Sequence, residues 1–322
     1  MAAAPVTAAA SVTAAGISDR ALCAVPGLVA LPGRFLFAID DGAGDVAYSA
    51  DVAALRLPSD EAGAAERFAV LFAGRDVGLR VGRELVVPAL LAAAHAFLTR
   101  AEEAVAAGQR RPWRVRELGD GPALLGADTV GALAGTGLIT YGEVDPSLRR
   151  PGVREPIGPV EQAGGRVAAA ALVPLGRLGQ EQLRVLERAE VLVVTPWRGV
   201  VVPDLTADEA AQWLRELAGA GLEVGAGSRW AGVTACAGRP GCHRALADVR
   251  RDADTATVAA EGLPVHWVGC ARGCGSPQGP HVRVEATGSG YRVGSGPDDV
   301  KSWDEESAAG ELAGLVAGAR KG

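Results

Sequence analysis

The sequence predicts an α+β fold, on three observations. Short apolar segments alternate with period two, as at Phe35, Phe37 and Ile39, which marks strands. Longer segments place apolar residues at helical spacing, as in Glu84 to Ala107. Between positions 164 and 221 these segments run in the order strand, helix, strand, strand, helix. The 322 residues suit about two domains, at ~150 residues each. Hydrophobic residues make up 48% and aromatics only 4%, so the core must be built mostly from Ala, Val and Leu.

Each element has its own signal. Residues 1–20 are Ala/Thr/Val-rich, lack the cationic start of a signal peptide, and are read as a disordered tail. Residues 21–108 open with a strand from Arg34 to Asp40 and a tight turn at Asp41–Gly42. A second apolar run, Phe68 to Phe72, leads into Gly74-Arg75-Asp76, and one helix from Glu84 to Ala107 is stopped by Gly108. Residues 109–163 are rich in Gly, Pro and Arg and read as a connector, with little regular structure from Gln109 to Pro159. Residues 164–227 hold a strand at Val167–Val173 and a helix at Gly179–Ala189 with Leu183 and Leu186 on one face. Short strands at Val191–Thr195 and Gly199–Val202 follow, then a helix capped by Thr206 with Asp208 and Glu209 in its first turn. That order is the one of a ferredoxin-like half domain. Residues 228–322 carry the cysteines and a C-terminal helix.

Composition excludes some functions. The net charge of −6, with no long basic run, argues against a nucleic-acid surface. Lys301 and Lys321 are the only lysines, so every other cationic side chain is an arginine, the residue suited to forking a carboxylate. The longest apolar stretch, Leu85 to Leu98, contains His95 and falls short of the ~20 residues a membrane span needs. Of five cysteines, Cys23 stands alone and four fall between positions 236 and 274, which is not a secreted disulfide framework. A cytoplasmic protein is the expectation. Gly225-Ala-Gly227 lacks the rest of a dinucleotide fingerprint, so no nicotinamide site is inferred.

The cysteines carry the chemistry. Cys236 and Cys242 are spaced C-x5-C, and Cys270 and Cys274 C-x3-C. Paired thiolates on loops suit the corners of a [4Fe–4S] cube. Glycines at 238, 241, 273 and 275 let backbone amides approach sulfur. Cys242 is expected to open a helix with Ala245, Leu246 and Val249 at helical spacing, its N-terminus favouring thiolate. Leu263, Val265 and Trp267 alternate, so a strand delivers Cys270. A zinc site and four buried neutral thiols are the alternatives, although zinc favours C-x2-C knuckles. His243 and His266 flank ligands and are read as ordinary solvated or core residues.

The C-x5-C and C-x3-C pair resembles the cluster signature of the siroheme-dependent nitrite/sulfite reductase superfamily. The runs Ala235–Val249, Pro264–Cys274 and Leu31–Gly42 resemble the precorrin-3B synthases within it. The resemblance implies a mixed α/β redox domain built from two pseudo-repeat halves, beside the ferredoxin-like half domain. Residues 21–108 would be the first redox half and residues 228–322 the cluster-bearing one. The resemblance implies a further N-terminal half domain with a Thr-x-Arg motif, expected to be missing here since residues 1–20 show no such motif; Thr195-Pro-Trp-Arg198 would be its repeat counterpart.

What the resemblance implies in chemistry is an oxygen-dependent hydroxylation of precorrin-3A to precorrin-3B in cobalamin synthesis. The [4Fe–4S] cluster would relay electrons from a donor, and a mononuclear iron or siroheme would complete the centre. Siroheme-dependent sulfite or nitrite reduction is one alternative, and a non-catalytic cluster-binding or electron-transfer module another. In the reductases the last cysteine, here Cys274, also bridges to the siroheme iron. Arg34 stands where the reductases place a basic residue near the substrate anion, and Leu36 where they place a lysine. Arg34, Arg75, Arg198, Arg239 and Arg272 are the candidates for binding tetrapyrrole carboxylates; no catalytic residue is assigned.

Overall fold

The computed structural model describes residues 20–58, 65–134, 139–141, 144–145, 148, 155–277, 279–295, 301–304 and 309–321. The tail at 1–19 lies outside the described residues. The chain divides into two units, Met1–Arg154 and Glu155–Gly322.

In the first unit five strands form one sheet in sequence order: β1 (Phe37–Asp40), β2 (Val52–Arg56), β3 (Arg67–Phe72), β4 (Arg75–Gly82) and β5 (Ile139–Tyr141). β1 pairs with β2 in parallel, and the remaining pairs are antiparallel. Alternate residues of β2 and β3 are apolar on both faces, so both faces are covered. Val52, Ala54, Val70 and Phe72 join one cluster, and Ala53, Leu55, Ala69 and Leu71 another.

Because β1 and β2 are parallel, the turn at Asp41–Gly42 joins no adjacent antiparallel strands but opens a longer loop. The loop instead wraps the Asp40 carboxylate, which accepts from the amides of Gly42 (3.0 Å), Gly44 (2.8 Å), Val46 (3.1 Å) and Ala47 (3.0 Å). Buried Asp51 does similar work, taking the amides of Leu36 (2.9 Å) and Val115 (2.8 Å).

Helix α1 (Val86–Ala106) follows a 3₁₀ turn at Arg83–Leu85, and Gly108, at φ +77°, lies just past its end as expected. It turns Val86, Ala89, Leu90, Ala93 and Phe97 into the core. The stretch Arg83–Ala106 is, against the sequence expectation, long and apolar enough by length and composition to cross a bilayer, with half of it buried in the fold. The composition reading stopped at Leu98, but the helix runs on past it.

The expected connector is in part regular. It holds helix α2 (Gly121–Leu133) and strand β5 in the first unit. Glycine read as a helix breaker is here a contact residue. A methyl group on Gly126 would stand 2.8 Å from Val77 Cγ2, so only glycine lets α2 lie this close to β4. The guanidinium of Arg100 then forks Asp128 at 2.9 Å through both nitrogens and ties α1 to α2.

The second unit has two sheets. In one, β6 (Gly158–Glu161), β7 (Val167–Leu172), β8 (Val193–Val194) and β9 (Gly199–Leu205) take the order β6-β7-β9-β8, all antiparallel. With α3 (Gln180–Leu186) and α4 (Ala207–Gly219), the order β7-α3-β8-β9-α4 is the one the sequence predicts. Thr206 caps α4: its Oγ1 accepts from Glu209 N, and its own amide donates to Glu209 Oε2 at 2.7 Å. Leu186 is buried but Leu183 is 52% exposed, so the two do not share the packed face. α3 spans under two turns, and its last residue reaches the core.

The other sheet runs in sequence order through β10 (Val233–Ala235), β11 (Val265–Val268), β12 (Val282–Ala286), β13 (Gly290–Gly294) and β14 (Lys301–Asp304). β10, β11 and β12 are parallel neighbours and the last two pairs antiparallel. Helices α5 (Val249–Ala256) and α6 (Ala309–Arg320) cover a core of Val233, Val265, Trp267, Val284 and Tyr291. Two five-stranded sheets, each opening on a parallel pair and each with two helices, agree coarsely with two similar halves. They diverge at the second pairing, antiparallel in the first unit and parallel here.

Two tests follow from packing. Gly126→Val should lower stability by about 1–3 kcal/mol through overpacking, and Val77→Ala in the same chain should recover part of it, read by denaturant titration. The second concerns Asp76, whose carboxylate forks Arg80 at 2.7 Å through both oxygens with both side chains buried. Burial pushes its pKa up, but the hydrogen bonds of Arg80, Asp145 N and Gly78 N with the Arg80 charge outweigh it and hold it below the usual carboxylate range. The pair therefore stabilises fully above the unfolded carboxylate pKa of ~3.9 and its contribution fades as pH falls through the lower folded value. Asp76→Asn should cost about 3–5 kcal/mol at neutral pH and flatten that acid limb.

Candidate metal centre

The four paired cysteines are all in the second unit, and all are free thiols. Their placement follows from strand pairing. β10 ends at Ala235 and releases Cys236; β11 ends at Val268 and releases Gly269 and Cys270. The two strands are parallel neighbours, so both loops leave the same end of the sheet side by side. The expected delivery of Cys270 by a strand is thus observed.

The loops are locked together. Cys236 N donates to Trp267 O at 2.9 Å, and Leu246 N to Gly269 O at 2.7 Å. Gly269 N donates to Cys236 Sγ at 3.2 Å. Cys236 is clamped from α5 by Arg250, whose Nε donates to its carbonyl at 3.0 Å. A methyl group on Gly269 would stand 2.6 Å from Ala245 Cβ, so glycine is required for the loops to touch. Cys242 does not open a helix. It sits in an irregular turn whose carbonyl accepts from Ala245 N at 3.1 Å, and the helix begins only at Val249, capped by Asp248. The cross-loop bond of Leu246 holds the turn out of helical geometry, so helix-end stabilisation of the Cys242 thiolate does not apply.

One residue the sequence reading set aside, His266, and one it did not name, Arg283, belong here. His266 is 2% exposed; its Nε2 meets Cys274 O at 3.0 Å and its Nδ1 meets Thr234 Oγ1 at 2.5 Å. Burial pushes its pKa below the usual imidazole range. Arg283 on β12 donates to Ala271 O at 3.0 Å and is paired with Glu285. The cue for His266 was a polar ring in the middle of an otherwise apolar strand, beside a ligand loop.

The candidate arginines divide. Arg239 and Arg272 are exposed on the cysteine loops themselves, Arg239 Nε donating to Ala245 O at 2.7 Å. Arg198 is in the turn between β8 and β9 at φ +68°, near Glu155, and its charge contributes to the shift at His266. Burial raises the Glu155 carboxyl to about 7 against the opposing effect of Arg198. Arg34 and Arg75 belong to the first unit, both exposed: Arg34 in the loop before β1, which starts only at Phe37, and Arg75 at the β3–β4 hairpin. Leu36 is 46% exposed.

Among the described residues, one group of three carboxylates or other ligands brings its atoms within 4.8 Å of one another: Asp40, Asp41 and Asp45, which could chelate a mononuclear ion. Burial, then Asp40 and Asp41, raise Asp45 to about 6. The Asp40 oxygens are already engaged by four loop amides, which accounts for its burial without a metal. No three cysteine sulfurs meet that spacing. A single tetrahedral zinc at ~2.3 Å from each sulfur would need them ~3.8 Å apart. A cube, with one iron behind each thiolate, seats its ligands farther apart. Among the described residues the cysteines are not gathered into a cluster of the kind expected for a [4Fe–4S] site.

No family model matches the sequence, and no curated protein matches it. Among solved structures, the NirA protein of Mycobacterium tuberculosis is similar with a TM-score of 0.57 at 18% identity, over 84% of this chain and 56% of that one. The likeness shows a mixed α/β fold shared with NirA at a coarse level. The chain spans little more than half the length of that protein.

Loop contact yields a prediction. Gly269→Val should force the cysteine loops apart and lower stability by about 1–3 kcal/mol, and Ala245→Gly in the same chain should recover part of it, read by thermal denaturation.

Proposed function

We propose that this chain is a redox protein in which Cys236, Cys242, Cys270 and Cys274 hold a [4Fe–4S] cluster, in the manner of siroheme-dependent nitrite and sulfite reductases. The observation that carries the reading is the delivery of both cysteine pairs from adjacent parallel strands, in a fold like that of NirA. The cluster, when bound, supplies one-electron transfer. The chain's own residues do the rest. The four thiolates anchor it, Gly269 N–H places a donor on Cys236 Sγ, and Arg239 and Arg272 put positive charge on the loops that face solvent. Positive charge there favours an anionic cluster and an anionic substrate alike. Electrons come from a separate donor.

A second reading is hydroxylation of precorrin-3A to precorrin-3B. It is favoured by exposed Leu36 beside exposed Arg34, where the reductase pattern has a second cation. An apolar, singly charged strip suits a large polycarboxylate better than a small inorganic dianion. In either reading the chain could serve as the cluster-bearing part of a longer assembly.

The test begins with anaerobic purification of the full chain. About four irons and four acid-labile sulfides per chain are expected, and Cys236→Ser should lose most of both. Stoichiometric zinc without sulfide would overturn the reading. The absorption spectrum then separates the substrates. A siroheme band with sulfite or nitrite turnover selects the reductase. A response to precorrin-3A, weakened by Arg34→Ala, selects the synthase.

A further inference from the structure

A carboxylate and a guanidinium of the second unit lie near each other without pairing. Glu155, just ahead of β6, is half-buried, and its Oε1 is fully buried with no hydrogen-bond partner. That oxygen lies by the start of β9: a methyl group on Gly199 would stand 3.6 Å from Glu155 Oε1 and 2.9 Å from Thr195 Oγ1. Arg198, the residue before Gly199, is the charged group that acts on Glu155. Among the described residues no hydrogen bond or ion pair engages the Arg198 guanidinium, which is exposed.

The turn that carries Arg198 is fixed in its backbone and free at its tip. Arg198 has φ +68° and Leu175, just past β7, φ +53°, two residues other than glycine in the left-handed region. Such strain persists only where the surroundings hold it. Here Val173 N donates to Arg198 O at 2.9 Å, Thr195 N to Gly199 O at 2.9 Å and Gly199 N to Thr195 Oγ1 at 2.8 Å. The stem of Arg198 lies against Gly176, where a methyl group would stand 2.9 Å from Arg198 Cδ. Backbone and stem are thus pinned beside Glu155, and the guanidinium is the part that can swing.

Burial pushes the Glu155 carboxyl up to about 7 against the opposing effect of Arg198. The other groups at this point are uncharged: Thr195 on the turn, and on β7 the carbonyl of Ala171, 3.2 Å from where a Gly199 methyl would stand. His266 on β11 senses the Arg198 charge but does not act on Glu155. A neutral Glu155 offers a guanidinium no counter-charge. An ionised one with a buried, unpartnered oxygen is costly until a cation reaches it.

We propose that Glu155 and Arg198 form a proton-controlled latch: loss of the Glu155 proton draws the Arg198 guanidinium onto the carboxylate, and its return releases the guanidinium to solvent. The latch decides whether the β8–β9 turn presents a cation. It stands independently of the cluster reading above.

The experiment is a pH titration of the full chain by nuclear magnetic resonance, with carbon-13 in the glutamate carboxyls and nitrogen-15 in the arginine side chains. Glu155→Gln and Arg198→Lys assign the two signals by their loss. The Glu155 carboxyl should titrate near 7, and the Arg198 Nε signal should shift with the same midpoint and stay still in Glu155→Gln. Arg198→Gln, which removes the opposing charge, should raise the Glu155 midpoint by about one pH unit, a tenfold gain in proton affinity, and Arg198→Lys should raise it less. A Glu155 midpoint near the ordinary 4.5 overturns the proposal. So does a midpoint near 7 that the Arg198 signal does not follow, which would leave Glu155 a buried acid and no latch.

Discussion

The parallel pairing of β10 with β11 is the constraint on which the candidate centre depends. Register sets Val233 beside Val265, Thr234 beside His266 and Ala235 beside Trp267. A slip of one residue would exchange the faces of β10 and separate Thr234 from the ring it bonds. It would also move Cys236 relative to Gly269, whose amide it accepts. The apolar rows of Val265 and Trp267 specify that register because they are packed beneath α5 and α6. The chemistry of the loops is therefore underwritten by burial some residues away.

The same economy governs the rest of the second unit. Arg250 from a helix and His266 from a strand each take the carbonyl of a cysteine, one per loop. Neither touches sulfur. They fix backbone, and the backbone carries the thiols. Among the described residues the amide of Gly269 alone meets a cysteine sulfur, that of Cys236.

Period-two alternation and capping chemistry made much of the fold legible in the sequence. Thr206 and Glu209 announced their helix, and the alternation of Val265 and Trp267 announced β11. Failures came where one residue type has two uses. The Gly, Pro and Arg of residues 109–163 were read as a connector because glycine is costly in a helix; here the missing side chain of Gly126 is what the contact of α2 with β4 requires. Ala245, Leu246 and Val249 have helical spacing, but a single cross-loop bond from Leu246 overrides it. In the site, spacing singled out the cysteines, and the structure adds that the loops after β10 and β11, which carry Cys236 and Cys270, leave one end of the sheet. His266 was not, because one histidine in an apolar strand looks the same whether it fills space or holds a loop. Only the positions of Thr234 Oγ1 and Cys274 O tell these apart.

The two five-stranded sheets, one in each unit, end their first strands in different ways. In the second, β10 runs out into a thiol; in the first, β1 runs out into Asp40, whose carboxylate gathers four loop amides. Asp40 is a ligand that the gene itself encodes. The loop around it is complete once the chain has folded and needs no delivery from outside. One polypeptide thus carries one strand end folded around its own carboxylate and another whose thiol takes an amide from the neighbouring loop, so the first is closed by local sequence and the second by the meeting of two distant segments.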